Sequence, residues 1–186
     1  MPSIEKIGGD QLTWMWNLTE RPSEDALMRN LANIIRVLLE HTTAKIAVGT
    51  LPPLGEDADS TANQIVLRVN KRIIQAVEIE FCDSRRVSAV DVNSALWKYI
   101  NLSSVKRKKI HSVDDFLPAE IVMYILHNIF GLSWNLLTHI ITGNVVLSES
   151  LHLNETGGDV VRNELVKWLV ENGDANHVDG RKEKLL

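Results

Sequence analysis

Short apolar runs of strand length alternate along this sequence with longer segments whose apolar residues recur at helical spacing. A chain so patterned buries both kinds of element most readily by laying helices against a mainly parallel sheet. Ile4 to Ile7 is the first strand candidate, with Glu5-Lys6 inside it and Gly8-Gly9 after it. A helix is expected from Ser23, which follows Pro22 and can accept a backbone N–H as N-cap. Glu24 and Asp25 suit the positive end of that helix. Leu27, Leu31, Ile34, Ile35 and Leu38 fall on one helical face. Lys45 to Leu51 is strand-like and is ended by Pro52-Pro53. Ser60 caps a second helix with Ile65, Val66, Val69, Ile73, Ile74 and Val77 inward.

Beyond the polar turn from Cys82 to Arg86, Val87 to Val92 reads as a strand. The segment from Asn93 to Val113 ends in the basic run Lys106 to His111 and reads as a surface excursion. Helices are expected over about Pro118 to Phe130 and Ser133 to Thr142, with Gly131 between them. Val145 to Leu147 is a last strand, and Gly157-Gly158 opens a final helix with Val160, Val161, Leu165, Trp168 and Leu169 inward. Residues 1–172 are thus read as one domain and 173–186 as a polar tail.

Composition narrows the function. Hydrophobic residues make up 45% and charged residues 24%, so a packed core is affordable and wholesale disorder is excluded. Lys plus Arg number 20 against 24 Asp plus Glu, for a net charge of -4, which argues against nucleic acid as a partner. The single cysteine, Cys82, excludes an internal disulfide framework and a cysteine-based zinc cluster. The remaining histidines form no set at ligand spacing, so neither a metal nor another cofactor is expected. The most apolar stretch, Phe116 to Val146, is interrupted by Glu120, His127, Asn128, Asn135, His139 and Asn144. A membrane span needs about 18–20 nearly uncharged residues, so no stable span is expected. MPSIEKIGGD has no apolar signal-peptide core, and the compartment stays open.

Three loops that follow strands gather at one rim of such a sheet, where an active site would sit. They are Ile7 to Gln11, Leu51 to Asp57 and Ser148 to Asn154. In the last, Glu149 stands three residues before His152. A carboxylate there can accept a hydrogen bond from one ring nitrogen, fix the tautomer and leave the other nitrogen as a base near neutral pH. An acid and a histidine at this spacing also occur as ordinary loop neighbours. Phe81-Cys82-Asp83-Ser84 is a poor nucleophile candidate because Ser84 follows a helix and leads into a strand. Ser148 and Ser150 would need a tight fold-back to meet His152.

Leu51-Pro52-Pro53-Leu54-Gly55-Glu56-Asp57, the helix start from Ser60 to Asn70, Gly131-Leu132-Ser133-Trp134 and His152-Leu153-Asn154-Glu155-Thr156-Gly157-Gly158 together resemble the SGNH (GDSL-type) esterase and lipase family, in order and separation. The likeness runs from Ile4 to about Val170. It implies a three-layer α/β/α hydrolase of flavodoxin-like architecture that cleaves carboxylic esters with a Ser-His-Asp triad and takes a small ester as its partner. His152 matches the family's base, and Glu149 stands where its orienting Asp belongs. Gly8-Gly9-Asp10-Gln11 matches the oxyanion block, so Gly8 and Asp10 take the oxyanion-hole positions, Asp10 where the family has Asn.

The family's Gly-Asp-Ser block would precede Gly8 on a central strand, and the sequence contains no such triplet. The resemblance therefore implies a truncated or divergent member whose first strands are missing. The same fold serving as an inactive binding or regulatory module, or as a truncated gene product, is the alternative. An uncovered sheet edge would favour self-association.

Overall fold

The computed structural model describes residues 23–103, 117–148 and 152–172. The strand expected at Ile4 to Ile7, Gly8, Asp10, the Lys106 to His111 run, Glu149, Ser150 and the 173–186 tail lie outside the described residues. The fold is mixed α/β and mostly helical, with a two-stranded parallel sheet among the described residues. The chain divides into two compact units. Residues 23–51 and 58–89 belong to one, and residues 52–57, 90–103, 117–148 and 152–172 to the other.

In the first unit, α1 (Glu24–His41) leads into β1 (Ile46–Gly49), α2 (Thr61–Glu80) and β2 (Val87–Val90). Ser23 caps α1 by accepting the Ala26 N–H, and Ser60 caps α2 by accepting the Asn63 N–H. Both starts lie where side-chain oxygens satisfy amides that no helical turn can reach. The core joins Ile35 of α1, Val48 of β1, Ile65, Val69, Ile73 and Val77 of α2, then Phe81 and Val87. The stripe expected of α2 is the stripe that is buried, with Ile74 only half-buried.

That of α1 is not. Ala26, Ala32 and Ile35 face inward, whereas Ile34 is 58% exposed and Leu27 and Leu38 lie at the surface. Apolar residues cover a wider arc of α1 than one contact can bury, and the two small alanines mark where the helix comes closest. The turn before β2 is held by Arg86, whose guanidinium donates to the carbonyls of Leu39, Thr42 and Ala44. A cation therefore sits at the negative end of α1. At the other end of that helix, Glu24 accepts from Arg68 (2.9 Å) and from Arg72. The Arg68 hydrogen bond is the main cause of a Glu24 carboxyl held below its ordinary range.

The second unit holds α3 (Val92–Leu102), α4 (Leu117–Phe130), α5 (Trp134–Ile141) and α6 (Glu155–Asn172). Here α3 corrects the expected surface excursion. Asp91 caps it through the Ser94 N–H, and Leu96 and Ile100 are fully buried. The basic run downstream had masked a one-sided apolar pattern, Val92, Leu96 and Ile100, in which each residue lies four after the last. Gly131, at φ 65°, ends α4 by donating its N–H to the His127 carbonyl. The final helix begins at Glu155, ahead of the two glycines, and Leu165 and Leu169 are exposed rather than inward.

Val145 to Leu147 is not a strand. Its one ladder contact is an isolated antiparallel bridge between Leu147 and Leu153. Although Val146 and Leu147 are fully buried, their amide groups are taken up by side chains instead of a neighbouring strand.

Candidate functional site

Four positions were singled out from the sequence. Of these, His152 is described, while Glu149, Gly8 and Asp10 lie outside the described residues. His152 is exposed. The Ser148 N–H donates to the His152 carbonyl at 2.8 Å, and the Ser148 hydroxyl donates to the same oxygen at 3.2 Å. The fold-back that a serine near His152 requires is therefore present. The hydroxyl proton, however, is directed to a carbonyl oxygen, which hydrogen-bonds but does not act as a base. Ser84 lies in the turn that leads into β2, at the amino-terminal edge of the sheet, as its place between a helix and a strand implied.

His152 and Ser148 form the polar wall of a cavity of about 560 Å³. Its other walls are Ile121, Met123 and Tyr124 of α4, Trp134 of α5 and Leu153. Apolar lining with a few convergent polar groups is the usual make-up of a small-molecule site. Trp134 is braced from behind. Its ring stacks on His127 with centroids 4.6 Å apart, and His127 Nδ1 lies 2.8 Å from the Leu132 carbonyl. A carbonyl can only accept, so Nδ1 carries the proton. Trp134 thus packs on His127 and lines the cavity as well.

The turn is joined to α5 and α6 by side chains that close their starts. Glu155 accepts the N–H groups of Trp134 (3.0 Å) and Asn135 (2.6 Å), and Asn135 Oδ1 accepts the Thr156 N–H at 3.2 Å. The two helix N-termini therefore cap one another, with a carboxylate at the positive end of α5. Asn154 accepts the Gly157 N–H at 2.9 Å and donates its side-chain amide to the Val145 carbonyl at 3.1 Å, while its backbone N–H donates to the Val146 carbonyl at 3.0 Å. Gly157 lies so close to this segment that a Cβ would stand 2.2 Å from the Val146 oxygen.

On the opposite side of residues 145–147 is Glu56, which is 7% exposed. Its Oε1 accepts the N–H groups of Val145 (2.8 Å), Val146 (2.7 Å) and Leu147 (3.1 Å), and Oε2 also accepts from Val145 (2.9 Å). Successive amides converging on one anion form a backbone nest. Sequence reasoning placed Glu56 in a rim loop and gave it no role. Its only signal was an acid following the apolar stretch Leu51-Pro52-Pro53-Leu54, and the amides it satisfies lie some 90 residues away.

A second cavity, of about 660 Å³, is bordered by Tyr99, His139, Asn144 and the capping pair Asn135 and Asn154. Both ends of the Asn154 amide and the Asn135 side-chain oxygen are already spent on backbone partners. Among the described residues no group of three His, Cys, Asp or Glu side chains could hold a metal ion. No helix of the described residues is long and apolar enough to cross a membrane. No family model, no curated protein and no solved structure matches this chain.

Proposed function

We propose that this chain is an esterase domain of the SGNH (GDSL-type) family, with a three-layer α/β/α architecture, acting on carboxylic esters. One observation carries the reading: His152 stands at the polar wall of an apolar cavity, where an ester can lay its acyl group against Met123 and Trp134 and turn its carbonyl toward the imidazole. In this reading His152 is the base and Glu149 orients it. The resemblance assigns an oxyanion-hole role to Gly8. Asp10 brings a carboxylate to a position where chemistry favours a donor, and a lost donor there costs about 10²–10³ in rate. With no serine assigned as nucleophile, the imidazole takes a proton from a water whose oxygen bonds to the acyl carbon. It returns that proton to the alcohol as the ester C–O bond breaks.

The test is hydrolysis of nitrophenyl butyrate by the full chain. Turnover should fall by about 10²–10⁴ in His152→Ala. Equal rates for wild type and variant, or no turnover by either, would reject the esterase reading. A second reading, an inactive binding module of the same fold, is favoured by the Ser148 hydroxyl being directed to a carbonyl oxygen and by the lack of a Gly-Asp-Ser triplet. Its mark is thermal stabilisation by the ester without any hydrolysis.

A further inference from the structure

We infer that Glu56 is the positioning residue of the His152 turn, an inference that rests on the reading of His152 as the base. The argument follows the backbone. Residues 145–147 are buried or half-buried and belong to no strand, so their amides must find partners elsewhere. All three N–H groups converge on the Glu56 carboxylate from one side. Asn154 takes the Val145 and Val146 carbonyls from the other. The next two links are the Leu147–Leu153 bridge and the Ser148 N–H on the His152 carbonyl. A continuous chain of short bonds therefore runs from the Glu56 side chain to the backbone of His152.

A buried carboxylate is a costly way to hold a segment that strand pairing could have held. What it provides is a fixed point. An anion with three convergent donors permits one backbone path, whereas a two-residue ladder can slip in register. Leu51 to Asp57 thereby acts on the chemistry without touching a substrate. It sets the height and direction at which the imidazole meets the cavity.

The experiment compares full-length wild type, Glu56→Gln and Glu56→Asp by NMR. The glutamine keeps the volume but loses the charge and turns one acceptor into a donor. The aspartate keeps the charge and is one methylene short. In Glu56→Gln, amide exchange at Val146, Leu147 and Ser148 should accelerate by about tenfold or more, the loss of a charge-assisted bond. Exchange at Val69 and Ile73 should stay within about twofold. The His152 ring resonance and its titration midpoint should move together with the exchange. If wild type turns over ester, kcat should fall with KM held.

Unchanged exchange would overturn the inference. So would faster exchange with an unmoved His152 titration, which would leave Glu56 a structural group alone, and so would failure of both variants to fold. A wild type that hydrolyses no ester would remove the catalytic reading, and the ring titration would still decide whether Glu56 sets the imidazole.

Discussion

In the unit formed by residues 23–51 and 58–89, the centre is a run of Ile and Val with one Phe, drawn from both helices and both strands. In the other unit Leu96, Met123 and Leu137 share the interior with Glu56, Thr138, Thr142, Asn144, Ser148 and Asn154. Among the described residues no buried side-chain nitrogen or oxygen lacks a hydrogen-bond partner. The first arrangement depends mainly on volume, although Thr50, Asn63 and Asn70 are buried there as well and Asn70 pairs with the Leu51 backbone. The second depends on matched donors and acceptors, because a buried group stripped of its partner keeps the whole cost of leaving water. The irregular backbone at residues 145–148 is held in the second way. That is also where the candidate site lies.

The contrast can be broken by exchanging volume against polarity. Ile73→Ala in the first unit should cost about 2–5 kcal/mol, while Ile73→Leu should cost less than about 1.5 kcal/mol, because the core is filled again. In the second unit Asn154→Leu keeps the number and branching of the side-chain heavy atoms but strands the Gly157 N–H and the Val145 carbonyl. It should cost at least about 2 kcal/mol, no less than Asn154→Ala. Urea unfolding of the four variants checks this. A harmless Asn154→Leu would show that the second unit, too, rests on packing.

The neighbouring glycines sharpen the same point on a smaller scale. Gly157→Ala drives a Cβ into the Val146 carbonyl and should destabilise by about 1–3 kcal/mol. A Cβ at Gly158 meets nothing within 4 Å, so Gly158→Ala should stabilise α6 by about 0.5–1 kcal/mol. Thermal melts of the two variants should move in opposite directions.

The smallest effect is expected at the surface of the first unit. The Glu24 carboxyl is held low chiefly by its Arg68 hydrogen bond, with Arg72 adding to it. A depressed carboxyl contributes stability above its unfolded pKa and loses it as pH falls through the folded one. Wild type should therefore be slightly more stable than Glu24→Gln at neutral pH, and the difference should vanish in acid below the ordinary carboxyl range. The pair is partly exposed, so the gap should also shrink with added salt. A gap that persists in acid would show that Glu24 acts by packing.

What the amino-acid order determined by itself is what depends on neighbours in the chain. Ser23 and Ser60 mark their helix starts because a cap bonds three residues onward. The α2 stripe and the β1–α2–β2 order follow from local period and turn residues. His152 was legible as a candidate through its chemistry and its loop. The arc of α1 that is buried, the burial of α3 and the non-strand character of Val145 to Leu147 were decided only in three dimensions. So were the pairing of Asn135 with Glu155 across two helix starts and the seat of Glu56 beneath residues 145–147. These depend on which polar group finds which backbone amide across tens of residues, and a hydrogen bond over that distance leaves no period in the sequence.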